Sequence, residues 1–208
     1  MNTSTKLVGL ALLVALGASA HLIHAQDPHG HHAPHANQAE PFLAKHVEKS
    51  ASITLHGDID SVWPLFDPIN ESKWVSVWNP ELLHPNDGQV QEGMVFRTSG
   101  GMTWVLSRYD RQNYRITYTV YHAEEVRTID IQCSKHGTSY TDATVTYRFV
   151  GLTELGNQLI EKAAKRMFAS DLRDWQKLIN HFLKTGETLP VDEAHGHGDH
   201  HAPHRKHG

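Results

Sequence analysis

Histidines are the residues with the most evident capacity for chemistry in this chain. It contains 18 of them, and they are concentrated near both ends, with six in residues 21–35 and six in residues 195–207. The imidazole ring is a good ligand for Zn, Ni and Cu ions, and a flexible tract can place several rings round one ion. We expect metal binding by ten of these side chains: His29, His31, His32, His35, His195, His197, His200, His201, His204 and His207.

The two histidine-rich segments share the sequence His-His-Ala-Pro-His, at residues 31–35 and again at 200–204. Both contain Pro and Gly but no periodic apolar residues, so neither buries enough surface to offset the entropy of ordering it. The sequence predicts disordered tails over residues 21–46 and 186–208. Mobile ligands do not hold an open coordination position, so we expect no catalytic metal and no required cofactor. The alternative is a solvated linker that binds metal without using it in the cell.

The N-terminal segment has the pattern of an export signal. Lys6 precedes an apolar stretch over residues 7–16 that is too short to span a bilayer. Small residues follow at Ala18-Ser19-Ala20, with a second candidate cleavage site at Ala25, so the signal peptide covers residues 1–20 or 1–25. We expect a periplasmic or secreted bacterial protein with no stable membrane span after cleavage. An uncleaved N-terminal anchor is the alternative.

Charge and cysteine content exclude several functional classes. The chain has 19 basic and 23 acidic residues, a net charge of −4, which argues against nucleic-acid partners. Cys133 is the only cysteine, so intramolecular disulfides and cysteine-ligated metal centres are excluded. Motifs for a serine nucleophile, a zinc protease or a phosphate-binding loop are absent, and no catalytic residue is predicted. Carboxylates at Glu124, Glu125 and Asp130 are expected in solvent.

Between the tails, the spacing of apolar residues predicts one α+β domain over residues 47–185. Residues 49–57 alternate as a half-buried strand, and two short helices should follow it. Five more alternating segments between residues 94 and 150 are separated by turn residues and predict an antiparallel meander. One further strand within residues 75–83 would bring the sheet from six strands to seven.

The last part of the domain has helical spacing. Apolar residues recur at intervals of three and four over residues 153–184, no proline interrupts them, and Gly186 is a stop signal. Trp175 and Phe182 are expected in the core of the domain. The complete order is therefore one strand, two short helices, a long meander and one long C-terminal helix.

Several local sequences accompany this order of elements. They are the strand-to-helix run of residues 53–66 with Val62-Trp63, the Trp78-Asn79-Pro80 triplet, the Glu-Gly-Met-Val-Phe sequence at 92–96 and the segment 147–153. Together they resemble the helix-grip fold of the SRPBCC superfamily, the group of START, polyketide cyclase/dehydrase and pollen-allergen domains. The resemblance covers about residues 47–185. It implies a curved antiparallel sheet wrapped on the C-terminal helix, with an apolar cavity between them.

Such a cavity suits a hydrophobic small molecule, lipid or polyketide-like, because apolar walls provide affinity and a few polar groups set orientation. Inward-facing strand positions and one face of the helix should form the wall. The predicted wall residues are Tyr114, Ile116, Tyr118, Val120, Ile129, Ile131, Val145, Tyr147, Leu159, Ala163 and Met167. The alternative is that these side chains fill a core without a cavity.

Three functions are compatible with the sequence. The leading one is an exported carrier or sensor that binds a hydrophobic ligand in its domain and metal ions with its tails. This function favours a protein without catalytic activity. The second is a periplasmic metal-buffering or metallochaperone-like protein that uses the domain as a scaffold. The third is a cyclase- or dehydratase-like enzyme, which requires a buried acid or base with a shifted pKa facing the cavity.

Overall fold

The computed structural model describes residues 41–190. The signal segment, the ten candidate metal ligands and most of both tails lie outside these residues. The described part contains seven strands, in agreement with the upper count from the sequence. They are β1 (His46–Leu55), β2 (Glu81–His84), β3 (Val95–Thr98), β4 (Met102–Asp110), β5 (Arg115–His122), β6 (Glu125–His136) and β7 (Tyr140–Gly151).

The strands form a single antiparallel sheet in the order β1-β7-β6-β5-β4-β3-β2. Strands β3 to β7 are the predicted meander, while β1 returns to pair with β7, with Ser50 opposite Thr146. Their hydroxyl groups lie 2.8 Å apart and form a hydrogen bond on the outer face. The sheet is open, with the long β1 at one edge and the four-residue β2 at the other.

Short helical segments connect β1 to β2. Helix α1 (Ile59–Val62) begins at Asp58, whose carboxylate accepts hydrogen bonds from the backbone N–H groups of Asp60 and Ser61. Two 3-10 helices follow, Trp63–Phe66 and Asn70–Lys73. The first 3-10 helix continues directly from α1, so the two helical runs confirm the two short helices that the sequence predicts after the first strand.

The long C-terminal helix consists of α2 (Glu154–Arg166), a π-helical segment (Met167–Asp171) and α3 (Leu172–Thr185). It begins at Thr153, whose hydroxyl accepts from the N–H of Gly156 at 3.0 Å. It ends at Gly186, which has a φ of 73° and provides the left-handed conformation of the C-cap. The helix is confirmed, but its spacing of apolar residues gave no sign of the π-helical segment. None of the helices in residues 41–190 has both the length and the apolar content needed to cross a bilayer.

The core lies between the inner face of the sheet and this helix. Alternate residues of β4 to β7 are buried, and Ile160, Leu178 and Ile179 of the helix are fully enclosed against them. The α+β helix-grip class predicted from the sequence is therefore confirmed. The contact between sheet and helix is also the place where the fold can house a ligand.

Two carboxylates expected in solvent are buried instead. On the outer face, Asp130 accepts two hydrogen bonds from Arg115 at 2.8 and 2.7 Å and one from Thr117 at 2.8 Å. Burial by itself would raise the pKa of Asp130, but these hydrogen bonds outweigh it and hold the pKa below the usual range. The expectation was wrong because alternation places Asp130 on the outer face but does not show that side chains of the neighbouring strand β5 cover it there.

Glu125 is the second buried carboxylate. It was expected in solvent, whereas Glu125 is the first residue of β6 and its side chain lies on the inner face. There it forms a buried ion pair with Arg127, whose guanidinium also lies 5.3 Å from the ring centre of Phe149. Burial lowers the pKa of Arg127 to about 10, so this guanidinium stays charged at neutral pH.

Candidate functional site

A small cavity lies between the sheet and the C-terminal helix. Its volume is about 20 Å³, which is enough for one or two waters. Three lining residues come from the helical connections, five from the strands and one from α3: Phe66, Glu71, Trp74, Trp104, Tyr118, Ile129, Ile131, Tyr147 and Trp175. The interior is therefore mostly filled, and a larger ligand enters only if lining side chains move.

Of the eleven predicted wall residues, four line this cavity: Tyr118, Ile129, Ile131 and Tyr147. Five others, Ile116, Val120, Val145, Ala163 and Met167, are buried in the core away from it. The remaining two, Tyr114 and Leu159, are only partly buried. A role in ligand binding remains a prediction for the whole set.

The positions of Tyr114 and Leu159 have clear physical reasons. Tyr114 precedes β5 with a φ of 52°, so it leaves the alternation of the strand. Its hydroxyl donates to the carboxylate of Asp60 at 2.8 Å, outside the cavity. In α2, the neighbouring Ile160 takes the fully buried position and leaves Leu159 half-exposed.

Five cavity residues were not predicted as wall residues: Phe66, Glu71, Trp74, Trp104 and Trp175. Trp175 was expected in the core, and it is both core and cavity wall. Glu71 is the most consequential omission, because it is the ionisable carboxyl group of the cavity. One signal could have found it, since Glu71 lies three residues before Trp74 in a helical segment, where residues three apart share a face.

The Glu71 carboxyl group is in an unfavourable place for a charge. Its residue is only 9% exposed, and within residues 41–190 the carboxyl has no hydrogen-bond or ion-pair partner. Burial raises the pKa of Glu71 to about 8, with a further contribution from the nearby charge of Asp67. Glu71 is therefore mainly protonated and neutral at pH 7.

Asp67 holds the segment that carries Glu71. Its carboxylate accepts hydrogen bonds from the backbone N–H of Asn70 at 2.7 Å and of Ile69 at 3.0 Å, at the start of the 3-10 helix. Burial raises the pKa of Asp67, although the hydrogen bonds from Asn70 and Ile69 oppose that effect. Asp67 and Glu71 are thus two buried acids, four residues apart, in the connection between β1 and β2.

Two neutral polar groups of the cavity wall are also unused. The indole N–H of Trp175 is buried without a partner, and the Tyr147 hydroxyl makes no hydrogen bond within residues 41–190. Burial raises the pKa of Tyr147, so its hydroxyl stays protonated. By contrast, the hydroxyl of Tyr118 donates to the carbonyl of Phe66 at 2.7 Å. Tyr147, Trp175 and Glu71 can therefore interact with whatever occupies the cavity.

Cys133 lies on the inward row of β6, and we expect its thiol to be unreactive in the folded protein. Burial raises the pKa of the Cys133 thiol to about 12, while the thiolate is the reacting form. At pH 8 a thiol-specific colorimetric reagent should react about 1,000-fold more slowly than with an ordinary exposed cysteine. The same reaction in guanidinium chloride gives the control rate. Fast reaction of the native protein would contradict the burial of Cys133.

Metal ligands are not clustered in the described part of the chain. In residues 41–190, no group of three or more His, Cys, Asp or Glu side chains is arranged to hold a metal ion. The ten predicted histidine ligands all lie outside this range. Metal binding by the tails remains a prediction.

An open antiparallel sheet closed by a long C-terminal helix, with a cavity between them, defines a helix-grip fold. Norcoclaurine synthase from Thalictrum flavum has this fold in its complex with dopamine and hydroxybenzaldehyde. The likeness has a TM-score of 0.53 at 10% identity and covers 82% of this chain and 100% of that one. The truncated form of the same enzyme gives a TM-score of 0.54 at 8% identity, over 70% and 98% of the two chains.

A bacterial protein from Thermobifida fusca, solved by NMR in solution, is similar to the same degree. Its TM-score is 0.50 at 14% identity, with 69% of this chain and 97% of that chain covered. No protein-family model and no curated protein matches the sequence. At these identities the likeness is one of fold.

Proposed function

We propose that this chain is an exported member of the SRPBCC superfamily whose domain binds a small, largely apolar molecule, as a carrier or sensor. The observation that carries the proposal is the cavity between sheet and helix, where aromatic side chains surround the carboxyl group of Glu71. Apolar walls with a few convergent polar groups are the usual composition of a small-molecule site.

The unused polar groups support binding over simple core filling. Buried polar groups in proteins are normally hydrogen-bonded, and those without a partner call for an explanation. Glu71, Tyr147 and Trp175 would each gain a partner from a bound molecule. The solved complex of norcoclaurine synthase supports the proposal as well, since a protein of this fold holds two small aromatic molecules.

The π-helical segment lies near the cavity wall. Phe168, within that segment, packs on Tyr147 with ring centres 6.2 Å apart and the planes nearly perpendicular. π-helical turns interrupt the regular hydrogen bonding of an α-helix and are frequent at functional sites. A shift of this segment would move Phe168 against Tyr147 and change the size of the cavity.

The test is binding by the full mature protein and by two variants with enlarged core residues. Ile131→Phe fills the cavity, whereas Val62→Ile adds bulk at a buried position of α1 that does not line it. Native mass spectrometry of the protein, purified without a metal column, should find a retained small molecule. Thermal shifts with a panel of small aromatic and aliphatic compounds provide a second readout.

We expect the wild-type protein and Val62→Ile to bind and Ile131→Phe to lose binding while remaining folded. Binding that is unchanged in Ile131→Phe would place the ligand elsewhere. No adduct and no thermal shift in the wild type would contradict the carrier proposal and leave the cavity as a site for ordered water.

Export and metal binding belong to the same proposal and can be measured in the same spectra. The mass of the mature protein should correspond to cleavage after Ala20 or Ala25. Zn, Ni or Cu adducts should form on the wild type and disappear when the ten tail histidines are replaced by asparagine. An unprocessed mass would favour the N-terminal anchor, and the absence of metal adducts would remove metal handling from the proposal.

Proton transfer by Glu71 is a second candidate function. A carboxylic acid that is protonated near neutral pH in an apolar site can act as a general acid, and its conjugate base can act as a general base. If the domain is an enzyme, the bound molecule should exchange carbon-bound hydrogen for deuterium in D₂O. The exchange should be lost in Glu71→Gln, whereas no exchange in the wild type would argue for binding alone.

A further inference from the structure

The cavity is lined mainly by aromatic rings. Six of its nine lining residues are aromatic: Phe66, Trp74, Trp104, Tyr118, Tyr147 and Trp175. The face of an aromatic ring carries partial negative charge and attracts a cation placed over it within about 6 Å, most strongly for Trp. An apolar ligand could be held equally well by aliphatic side chains, so the aromatic wall needs a more specific explanation.

The rings are turned at large angles to one another. Trp74 and Trp175 lie 5.8 Å apart with their planes at 68°. Trp104 and Tyr118 lie 5.7 Å apart at 80°. Both pairs are in edge-to-face contact, so the rings hold one another in place and line the cavity in different orientations.

Most polar atoms of these rings are already used by the framework. The indole N–H of Trp74 donates to the carbonyl of Leu65 at 2.7 Å, and that of Trp104 donates to the hydroxyl of Thr98 at 2.9 Å. These bonds fix the two rings, and what they offer to a ligand is their aromatic surface rather than a hydrogen bond.

Glu71 lacks a partner of opposite charge. Its side chain lines the cavity, is nine-tenths buried and has no ion pair within residues 41–190. Its nearest identified charge is that of Asp67, which is of the same sign. A buried carboxyl group either stays protonated or ionises beside a positive group, so a cation in this cavity would be paired with the Glu71 carboxylate.

We propose that the cavity binds a small organic ammonium ion, a protonated or methylated amine, with Glu71 as counter-ion and Trp74, Trp104 and Trp175 packed around the cation. This inference rests on the proposed small-molecule site and names the chemistry of its ligand. The space of one or two waters fits the ammonium group of methylammonium, whereas a larger, methylated ammonium ion enters only if lining side chains move.

Binding of a cation should be coupled to release of a proton. Without a bound cation, burial holds the pKa of Glu71 near 8, so below that pH the cation must displace the proton. The titratable groups that face Glu71 are Asp67, Tyr118 and Tyr147. Both tyrosines stay neutral up to pH 9, and Tyr147 in turn faces the charges of Arg127, Arg166 and Asp171.

The experiment compares charged and neutral probes on the full mature protein. Tetramethylammonium and methylammonium are titrated beside tert-butanol, a neutral molecule of similar shape, at constant ionic strength and at pH 6, 7, 8 and 9. The indole N–H signals of the five tryptophans are followed by NMR, because three of the lining residues are tryptophans. Variants are Glu71→Gln, Trp175→Phe and Glu187→Gln, the last a control at an exposed glutamate.

We expect the ammonium probes to bind at least about 10-fold more tightly than tert-butanol at pH 8. Their affinity should fall about 50-fold from pH 8 to pH 6, while that of tert-butanol stays constant. Glu71→Gln should remove both the charge preference and the pH dependence. Trp175→Phe should weaken cation binding several-fold, and Glu187→Gln should behave as wild type.

Equal affinity for tert-butanol and the ammonium ions would overturn the cation proposal and leave the small-molecule site standing. Cation binding that persists in Glu71→Gln would also overturn it. If Glu71→Gln does not fold, unchanged cation binding in Trp175→Phe would overturn the proposal instead. No response to any probe overturns the cation proposal, whereas the mass spectrometry with Ile131→Phe decides the binding site separately.

Discussion

The wild-type protein should lose about 3 to 4 kcal/mol of stability, relative to Glu71→Gln, when the pH rises from 5 to 8. The native pKa of Glu71 is about 8, against an ordinary value of 4.5. Between these two values the native state binds more protons than the unfolded state, so the free energy of unfolding falls as pH rises. A loss of this size is a large fraction of the stability of a typical domain.

Urea denaturation at pH 5, 6, 7 and 8 measures this effect. The unfolding free energies of wild type and Glu71→Gln should nearly coincide at pH 5 and separate steadily above it, because glutamine cannot ionise. Glu187→Gln, an exposed substitution, should run parallel to the wild type. Two parallel curves for wild type and Glu71→Gln would mean that Glu71 ionises freely in the folded protein.

Gly156→Ala should destabilise the protein by about 2 to 4 kcal/mol, although alanine is the better helix former by about 1 kcal/mol. A Cβ atom at this position would lie 1.9 Å from the carbonyl oxygen of Glu124. That carbonyl is held in place by a hydrogen bond from the backbone N–H of Leu152 at 2.8 Å. The first turn of α2 would therefore have to move away from the β5–β6 connection.

The matched control is Gln158→Ala, an exposed position in the same helix. This control should change stability by less than about 0.5 kcal/mol. Chemical denaturation of both variants at one pH compares them directly. If Gly156→Ala is as stable as wild type, α2 begins farther from Glu124 than the structure has it.

The regular parts of the fold were predictable from local patterns. Alternation identified the strands, because each buries one face, and the buried row Ile129, Ile131 and Cys133 follows from that period alone. Gly156 shows the limit of such reasoning. Its helix propensity marks it as a weak point, and only the tertiary contact with Glu124 explains why glycine is required there.

The cavity was predictable only in part. Tyr118, Ile129, Ile131 and Tyr147 come from strand faces, where alternation applies. Glu71 and Trp74 come from a connection of short helical segments without a repeating pattern, and their place beside α3 depends on packing across the domain. The π-helical segment likewise depends on how the long helix fits the sheet, which no local period records.

The pairing of β1 with β7 has a consequence for how the chain acquires its structure. Ser50 and Thr146, partners across this pairing, are separated by 96 positions along the chain. Contacts over such separations slow folding, because a long loop must close before the pairing can stabilise it. The first strand has no partner until the last strand of the domain has left the ribosome. A chain that stays unfolded over that interval is suited to threading through a translocation channel, as the proposed export requires.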